Sequence, residues 1–572
     1  MGWQWLRPCS LNRKINAMKT LRIILVLLLG LQIQSYSQNP NPSSFEVSKN
    51  LDILTTLYKE LNNNYVDEIN YGDLMKTGID AMLEKLDPYT VFISEAEIED
   101  YTFMTTGQYG GIGALIHKQD NFVVISEPYE NSPAIKAGLQ AGDRILKINE
   151  KDATNKSVSD VSLLLKGQPG TKLDLLIKRD DSELKKTVIR ENVAIPNVAY
   201  YQLFDDGIGY IKLTGFTQNS GKEVKDAFIS LKEAGNLSGL VLDLRDNGGG
   251  LLNEAVSITN LFVKRGEMVV STKGKTPDRN KSYKTLIQPL DPEIPIIVLV
   301  NGMSASASEI VAGAIQDLDR GVIIGERTFG KGLVQNIIPL SYNTQMKITV
   351  AKYYIPSGRC IQSVDYVHRD SLGRSVNIPD SLTTAFKTKG GRTVYDGAGI
   401  NPDIEIEQPL LSNISVSLLT KYLFFDYANK FRSSHETILP AGEFEITDEI
   451  YSDFISWLSD KDYDYISRSE RMLADLKKTA ESEKYYDDLT QEIQQLESRM
   501  IHNKQADLEK FRPEIERILK NEIVARYYNQ KGRVEAAISD DNEVKAAREL
   551  LKDQKKYKSI LDGSYVPAIT KS

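Results

Sequence analysis

Three separate stretches of the chain carry residue types that can supply a nucleophile, a base and an oxyanion site. The first, residues 295–309 with the sequence PIIVLVNGMSASASE, places Ser304, Ser306 and Ser308 behind an apolar run. This pattern predicts a buried strand that leads through a tight turn into a helix, with one serine at the helix N-terminus. At such a position the following backbone N–H, that of Ala307 for Ser306, can point at a developing oxyanion. The stretch therefore indicates a serine nucleophile.

Helix capping is the competing interpretation of the same serines. Ser306 and Glu309 have the S-x-x-E spacing of a capping box, which satisfies two backbone N–H groups at a helix start. Capping and catalysis are compatible, because any one of the three serines can cap while another reacts. This stretch alone leaves open which of Ser304, Ser306 and Ser308 is the nucleophile.

A lysine suited to act as the base follows in the second stretch, residues 325–335 with the sequence GERTFGKGLVQ, where Lys331 lies between two glycines. The first seven positions also fit the phosphate-loop pattern G-x-x-x-x-G-K-[ST]. Gly332 replaces the hydroxyl residue at the eighth position, however, and a strand pattern follows instead of a helix. ATP or GTP binding is therefore disfavoured. The remaining alternative to a base is a lysine in an exposed hairpin turn.

The histidines of the chain do not offer a better base. His117, His368, His435 and His502 are too few and too scattered to indicate a metal site or a Ser-His-Asp arrangement. This scarcity favours a base other than histidine. We expect neither a metal nor a cofactor.

An oxyanion site is indicated by the third stretch, residues 240–250 with the sequence LVLDLRDNGGG. It predicts a buried strand that ends in a glycine-rich turn. Glycine permits positive φ and close approach of the backbone, so an N–H of Gly249 or Gly250 can form the second half of an oxyanion hole. A plain strand-to-helix turn needs fewer glycines.

Bulk composition narrows the function classes. With 572 residues the chain is too long for one hydrophobic core, and several domains are expected. The net charge of -8 and the pI near 5.5 give no footprint for nucleic acid. Cys9 and Cys360 are too few for a disulfide framework.

The N-terminus predicts export. Basic residues precede the apolar run Ile23 to Leu31, and a polar Ser- and Asn-rich segment follows. This order describes a secretory signal peptide over residues 1–38, with Met18 as an alternative start. The competing interpretation is an uncleaved N-terminal membrane anchor. Either way the bulk of the protein is expected outside the cytoplasm, in the periplasm.

Behind this segment, the periodicity divides the chain into four parts. A three-and-four spacing of leucines predicts a helical segment over residues 45–108, and short strands with turn residues predict a compact domain over residues 109–190. Strands alternating with helices predict an α/β domain over residues 191–407. Apolar stripes predict a helical domain over residues 408–572, whose helices either pack on the rest of the chain or dimerise. The fold class is therefore multi-domain α/β.

The second part resembles a PDZ domain. SPAIKAGLQAGDRILKIN looks like that family's most recognisable segment, and GGIG stands where PDZ domains place the loop that captures a C-terminal carboxylate. The resemblance implies that Gly111, Ile112 and Gly113 hold the end of a peptide that adds a strand to the sheet edge. A dinucleotide loop is disfavoured, because a strand pattern stands where that motif needs a helix. A plain hairpin turn does not account for the downstream match.

Taken in order, the PDZ pattern and the three stretches resemble the carboxyl-terminal processing peptidases, tail-specific serine proteases with a Ser-Lys dyad. LDPYTVF and TTGQYGGIGA, ahead of the PDZ pattern, fit the same family. The resemblance covers Leu74 to Ile406. It implies an α/β serine-protease core of the crotonase or ClpP type with an inserted PDZ domain. Gly248 departs from the family, since many relatives have proline at that place.

By that resemblance, Ser306 is the nucleophile, Lys331 the general base and Gln335 the residue that orients the lysine. Gly250 and Ala307 donate the oxyanion N–H groups. A lysine base at neutral pH must be desolvated or lie near other positive charge, because a solvated lysine titrates near ~10.4.

The implied function is a serine endopeptidase that recognises polypeptides with free apolar C-terminal tails and cleaves them through an acyl-enzyme. Membrane association through the N-terminal segment and assembly into a homo-oligomer are both compatible with the sequence, whereas nucleic acid is not expected as a partner. Two alternatives remain. One is a noncatalytic PDZ scaffold; the other is a crotonase-like acyl transferase, which leaves Lys331 without a role.

Overall fold

The computed structural model describes Met1 and residues 42–369, 375–500 and 504–565. All of the predicted signal peptide except Met1 lies outside these residues. The chain divides into two compact units, Met1–Met82 and Leu83–Ser572. None of the helices within the described ranges is both long and apolar enough to cross a membrane.

Two helices form the described part of the first unit and its boundary: α1 (Pro42–Asn64) and α2 (Tyr71–Glu84). The Tyr71 hydroxyl donates to Asn62 Oδ1 at 2.8 Å. As the leucine spacing predicts, apolar side chains share a face. That face is exposed: Leu51, Leu57 and Met75 each leave half or more of their surface in solvent.

A short strand interrupts the segment that the sequence predicts to be helical. Residues 45–108 contain β1 (Val91–Ile93), a 3-10 helix (Glu95–Glu97) and α3 (Ile98–Thr106) after the two helices. The helical prediction is wrong at β1, because its apolar, partly β-branched residues pair antiparallel with a later strand.

The PDZ region is an antiparallel sheet with two short helices. Its elements are β2 (Gln108–Gly111), β3 (Ala114–Gln119), β4 (Phe122–Pro128), α4 (Pro133–Lys136), β5 (Arg144–Ile148), β6 (Lys151–Asp152), α5 (Val158–Leu165), β7 (Lys172–Arg179), β8 (Ser182–Ile189) and β9 (Glu191–Ala194). The sheet order is β3-β4-β5-β7-β8, with β6 on β5. Strand β2 pairs with β9, so the chain enters and leaves this region through one two-stranded neck.

The α/β region holds two larger sheets. Its elements are β10 (Val198–Leu203), β11 (Ile208–Leu213), α6 (Ser220–Ala234), β12 (Gly239–Asp243), α7 (Leu252–Asn260), β13 (Met268–Gly274), a 3-10 helix (Pro277–Arg279), β14 (Lys281–Lys284), β15 (Ile296–Val300), α8 (Ala307–Asp317), β16 (Val322–Gly325), β17 (Leu333–Pro339), β18 (Gln345–Tyr354), β19 (Val364–Arg369), β20 (Ser375–Asn377), a 3-10 helix (Asp380–Leu382), β21 (Ala385–Lys387), β22 (Thr393–Tyr395) and β23 (Ile404–Glu405).

The main sheet has the order β10-β11-β12-β15-β16-β23 and is parallel from β11 onward. The second sheet has the order β1-β18-β13-β14, with β17 paired antiparallel to β18. The serine stretch and the glycine stretch follow β15 and β12, which are neighbours in the main sheet. Parallel neighbours end at the same edge, so topology brings these two stretches together.

The C-terminal region is helical, as predicted. Its helices are α9 (Asn413–Thr420), α10 (Leu423–Ser434), α11 (Asp448–Leu458), α12 (Arg468–Glu483), α13 (Tyr486–Met500), α14 (Lys504–Lys510), α15 (Arg512–Ile538), α16 (Asn542–Lys552) and α17 (Gln554–Leu561). Helix α15 breaks at Asn529, whose φ is 53°. An aromatic-rich core joins α9, α10, α11, α14 and α15.

The main sheet is covered on both faces. Leu240 and Leu242 of β12 pack against α6, α7 and α8, whereas Val241 packs against Val544 and Leu551 of α16. This double burial explains why β12 and β15 are continuous apolar runs instead of alternating patterns. Of the two roles left open for the C-terminal helices, α16 and α17 take that of packing on the α/β sheet.

Candidate active site

Ser306 caps the N-terminus of α8, a helix whose residues are all buried. Its backbone has φ 57° and ψ -110°, a conformation that residues other than glycine seldom adopt. Backbone strain of this kind persists only where surrounding contacts enforce it, and such positions cluster at active sites. The side chain is partly exposed.

The neighbouring serines are committed to structural hydrogen bonds. Ser304 and Ser308 are both 0% exposed. The Ser304 hydroxyl donates to the Leu244 carbonyl at 2.8 Å, and the Ser308 hydroxyl donates to the Asn247 carbonyl at 2.8 Å. Both bonds fasten the serine stretch to the glycine stretch. Of the three serines, Ser306 is the one whose side chain reaches solvent.

The glycine turn lies directly against Ser306. A Cβ added to Gly249 would lie 2.6 Å from the Ala305 carbonyl oxygen and 2.8 Å from both Ala307 N and Ser306 Cβ. Gly249 also has a φ of +94°. Both the space and the conformation therefore require glycine here.

Within the described ranges, two backbone N–H groups of the glycine turn and the helix start have no acceptor. The Gly249 N–H donates to Asn247 Oδ1 at 2.9 Å. Among the residues that the structure describes, the N–H groups of Gly250 and Ala307 donate no hydrogen bond. Of the two glycines that the sequence leaves open, Gly250 is thus the one free to bind an oxyanion.

Glu309 joins the serine stretch to the lysine stretch. Its carboxylate is 0% exposed, and Oε2 accepts the Ser306 N–H at 2.8 Å and the Lys331 N–H at 3.1 Å. Oε1 accepts the Gly330 N–H and the Thr328 hydroxyl, each at 2.7 Å. Burial raises the pKa of Glu309, while these hydrogen bonds favour the charged form. One carboxylate thereby sets the backbone position of both predicted catalytic residues.

Lys331 has the environment that a lysine base requires. Burial, assisted by the nearby ammonium of Lys347, lowers the pKa of Lys331 to about 8. The Lys331 ammonium lies 4.5 Å from the centre of the Tyr89 ring. Within the described part of the chain no hydrogen bond joins Lys331 Nζ to Ser306 Oγ. Hydrogen bonds of catalytic groups are often long in ligand-free structures and tighten when substrate binds.

Tyr89 belongs to the site but is not among the residues predicted from sequence. Asp87 Oδ1 accepts the N–H groups of Tyr89 and Thr90, each at 2.8 Å, which fixes the turn before β1. The Tyr366 ring packs edge-on against Tyr89 at 6.0 Å. In the sequence, Tyr89 belongs to the LDPYTVF motif, which fits the family but gives this tyrosine no role.

Gln335 hydrogen-bonds to a residue other than the lysine that it is predicted to orient. Its Nε2 donates to Thr349 Oγ1 at 3.2 Å, and the Thr349 N–H donates to Thr90 Oγ1 at 3.2 Å. No hydrogen bond between Gln335 and Lys331 occurs among the described residues. Gln335 instead connects β17 and β18 to the turn that carries Tyr89.

The predicted carboxylate loop opens onto an apolar groove in the PDZ region. Gly113 has a φ of +73°, and the Ile112 carbonyl accepts the Ala134 N–H at 2.8 Å. Burial raises the pKa of Tyr109, and the Gly113 and Ala114 N–H groups act in the opposite direction. These contacts place the Tyr109 hydroxyl beside the loop.

The groove itself has a volume of about 200 Å³ and is lined by Phe103, Tyr109, Ile112, Leu115, Leu165 and Lys166, among others. It runs between β3 and α5. An apolar groove that ends in glycine-loop N–H groups suits a peptide with an apolar last residue. Across the described ranges, no group of three or more His, Cys, Asp or Glu side chains could hold a metal ion.

Comparison with known proteins identifies three family matches. The family model described as peptidase family S41 matches residues 207–370, a PDZ domain model matches residues 124–179, and a model described as the C-terminal helical domain of a probable PDZ-protease matches residues 414–551. The chain is 34% identical over 393 residues to the carboxy-terminal-processing protease of Bartonella bacilliformis, an alignment that covers 68% of this chain and 81% of that protein. The chain belongs to the carboxy-terminal-processing proteases.

Two further proteins are similar to this chain. A probable CtpA-like serine protease of Staphylococcus haemolyticus is 33% identical over 362 residues, which cover 63% of this chain and 65% of that protein. Among solved structures, the photosystem II D1 C-terminal processing protease is 28% identical and covers 62% of this chain and 86% of its own, with a TM-score of 0.33.

Membership of the carboxy-terminal-processing proteases confirms the sequence-based family resemblance and the serine-type peptidase class. The presence of a PDZ domain is confirmed as well, and a PDZ domain implies binding of peptide C-termini. The acyl-transferase alternative is thereby set aside. The roles of individual residues stay predictions, supported by the geometry described above.

Proposed function

We propose that this chain is an exported, periplasmic endopeptidase that captures protein C-termini through its PDZ domain and cleaves them with a Ser306-Lys331 dyad. The observation that carries the proposal is the carboxylate of Glu309, because one of its oxygen atoms, Oε2, accepts hydrogen bonds from the backbone N–H groups of both Ser306 and Lys331. The lowered pKa of Lys331 supports its role as the base. The free N–H groups of Gly250 and Ala307 support the oxyanion site.

In the proposed reaction, neutral Lys331 takes the proton of the Ser306 hydroxyl as its oxygen attacks the scissile carbonyl carbon. The carbonyl oxygen becomes an oxyanion that accepts hydrogen bonds from Gly250 and Ala307. The protonated lysine then gives its proton to the leaving amine, the C–N bond breaks, and an acyl-enzyme remains. Water, deprotonated by the same lysine, releases the acyl group and restores Ser306.

Mass spectrometry of peptides released from an unstructured substrate with an apolar C-terminus tests the dyad. Ser306→Ala and Lys331→Ala should each lower hydrolysis at least about 10³-fold, because nucleophile and base act as one unit. Circular dichroism should show both variants folded. Labelling by a fluorophosphonate serine probe should occur in the wild type and disappear in Ser306→Ala. Substantial hydrolysis by purified Ser306→Ala protein would reject the assignment, and an unlabelled, inactive wild type would instead favour a noncatalytic scaffold.

The contribution of the PDZ groove is tested with matched substrates that differ only in a free or amidated C-terminus. The amide lacks the charge that the Gly111 to Gly113 loop is proposed to bind, so we expect its KM to rise while its kcat changes little. Equal KM and kcat for the two forms would show that the loop does not select substrates by their free C-terminus.

Export is proposed from residues 1–38, all of which except Met1 lie outside the described residues. Cell fractionation and N-terminal sequencing of the mature protein test it, and they also separate a cleaved signal peptide from a membrane anchor. An intact N-terminus in the membrane fraction would favour the anchor.

Assembly into a homo-oligomer is proposed from the exposed apolar face of α1 and α2. An exposed apolar face of this kind is typical of an interaction surface. Light scattering on the purified protein measures the molar mass. A monomer at all concentrations would contradict the proposal.

A further inference from the structure

The C-terminal helices reach the segment that carries the oxyanion turn. Arg245 lies in that segment, and its guanidinium is only 11% exposed. It contacts Asp243 at 2.6 Å and Asp541 at 2.8 Å, and it also forms an ion pair with Glu543. Asp541 caps α16, and Glu543 lies in the first turn of that helix, 0% exposed. Two carboxylates from the C-terminal region therefore hold one arginine of the peptidase region.

The backbone of the same segment is held equally firmly on its other side. The Arg245 carbonyl accepts a hydrogen bond from Lys212 Nζ at 2.9 Å, and the Arg245 N–H donates to Asp243 Oδ1 at 2.9 Å. The next residue, Asp246, exchanges two hydrogen bonds with the Asn301 side chain at 3.0 and 2.8 Å. A shift of Arg245 would therefore move the hydrogen-bonded backbone of residues 245 and 246, which leads directly into the glycine turn.

Asn247 completes this connection to the site. Its Oδ1 accepts the Gly249 N–H, and its carbonyl accepts the Ala305 N–H at 3.1 Å and the Ser308 hydroxyl at 2.8 Å. Gly249 packs against Ser306, and the N–H of the next residue, Gly250, donates no hydrogen bond among the described residues. A displacement at Arg245 has few ways to relax before it changes the direction of that N–H.

The buried charges make the ion pairs of Arg245 sensitive to single substitutions. Buried ions are stable only when they are paired, and removing one partner of a buried pair leaves the other charge uncompensated. Glu543 is the most demanding member, because besides Arg245 its Oε2 accepts the Gln408 amide at 2.6 Å, while its buried Oε1 has no hydrogen-bond partner among the described residues. An arginine that loses Glu543 has to rearrange toward solvent or toward Asp541.

We propose that Asp541 and Glu543 are positioning residues for the oxyanion turn, so that the C-terminal helical region tunes transition-state stabilisation through Arg245. This inference rests on the proposed role of Gly250 in the oxyanion hole. It assigns a task to a region that none of the active-site motifs covers.

The test compares Glu543→Gln with a matched control on the same helix. Glu543→Gln keeps the size of the side chain and removes its charge. The control, Arg548→Ala, breaks another ion pair between α16 and the peptidase region, that of Arg548 with Asp206 at 2.6 Å, on the β10–β11 loop. Both variants weaken the attachment of α16, but only Glu543→Gln acts on the oxyanion turn.

Glu543→Gln should lower kcat between about tenfold and 100-fold with KM nearly unchanged, because a misdirected oxyanion donor costs less than the 10²–10³-fold seen when a donor is removed. It should weaken inhibition by a peptide aldehyde, whose adduct with Ser306 carries an oxyanion, by a similar factor. Binding of a C-terminal peptide to the PDZ groove should not change. Arg548→Ala should keep kcat and aldehyde affinity within about twofold.

A second variant guards against a failure of Glu543→Gln to fold. Asp541→Asn preserves the helix cap, since Asn caps as well as Asp, while it removes one charge from Arg245. It should produce the same pattern as Glu543→Gln with a smaller effect. The inference is overturned if these variants retain the kcat of the wild type, or if Glu543→Gln and Arg548→Ala lose kcat alike in proportion to thermal stability. Retained hydrolysis in Ser306→Ala would instead reject the proposed function itself.

Discussion

At the scale of single residues, the site depends on one buried carboxylate. Glu309 is readable from sequence as the acidic member of a capping box with Ser306. Its second set of bonds, to Thr328, Gly330 and Lys331, is not readable, because it joins segments about twenty residues apart whose approach depends on the fold. The side chain that caps the helix is therefore also the one that anchors the proposed catalytic pair.

Lys331 gives the enzyme a predicted pH dependence. As the proposed base, Lys331 must be neutral to accept the serine proton, and its pKa is lowered to about 8. The ratio kcat/KM should therefore rise with pH and level off above about 8. Lys347 lowers this pKa, whereas Glu309 and Asp87 raise it. Lys347→Gln should consequently shift the rising limb to higher pH and reduce activity at pH 7, measured as initial rates across a pH series.

The control for this prediction is Lys352→Gln, which removes an exposed charge from the same strand. Its pH profile should match the wild type. A Lys347→Gln profile that does not move would mean that another group sets the rising limb.

The lowered pKa of Lys331 also affects the stability of the protein. Between about pH 8 and 10.4 the unfolded chain binds more protons than the folded chain, so the contribution of this lysine to stability rises with pH in that range.

At the scale of elements, the order of strands places the catalytic stretches. The continuous apolar character of β12 and β15 predicts buried parallel strands, and their adjacency brings the glycine turn to Ser306. The sequence could not decide between Gly249 and Gly250, because the decision depends on the Asn247 side chain, which occupies the Gly249 N–H. It also could not reveal that β1 leaves the helical segment to pair with β18, since three residues are too few for a periodicity.

The glycine turn yields a matched pair of substitutions. Gly249→Ala places a methyl group 2.6 Å from the Ala305 carbonyl oxygen in a residue with φ +94°, whereas a Cβ on Gly248 meets no atom within 4 Å. We expect Gly249→Ala to lower kcat by about 100-fold or more and to lose about 1–3 kcal/mol of stability. Gly248→Ala should retain both, as measured by steady-state kinetics and chemical denaturation. Equal activity of the two variants would show that the turn tolerates displacement.

At the scale of the whole molecule, the C-terminal region packs on the main sheet and forms part of its core. Apolar stripes reveal that its helices bury one face, but not what they bury it against. The partners of α16 lie in β12 and β15, some 250 or more residues earlier in the chain, and no local pattern encodes that separation. Sequence comparison matches this region as a domain of its own up to residue 551, while its last helices complete the core of the peptidase sheet.

Because α17 packs on the main sheet, we predict that the hydroxyl group of a single α17 tyrosine has a large effect on the stability of the protein. The Tyr557 hydroxyl of α17 accepts the Ile296 N–H at 3.0 Å and donates to the Ile296 carbonyl at 3.1 Å, both buried. Tyr557→Phe removes the acceptor of the buried Ile296 N–H and one donor to the Ile296 carbonyl at the start of β15, and it should cost about 1–3 kcal/mol. The midpoint of thermal unfolding should fall accordingly. Tyr342→Phe, at a side chain 94% exposed, is the control and should leave the midpoint unchanged; a matching loss in both variants would contradict the prediction.

The two-stranded neck formed by β2 and β9 has an evolutionary consequence. The PDZ region begins and ends on adjacent antiparallel strands, so its sequence can be exchanged as a cassette without altering the separation of the chain ends that the peptidase region must accommodate. Substrate preference can then diversify by recombination at residues 108 and 194, while the machinery around Ser306 is inherited unchanged. For the protein engineer, the same pair of strands marks where a foreign recognition module can be grafted to redirect proteolysis.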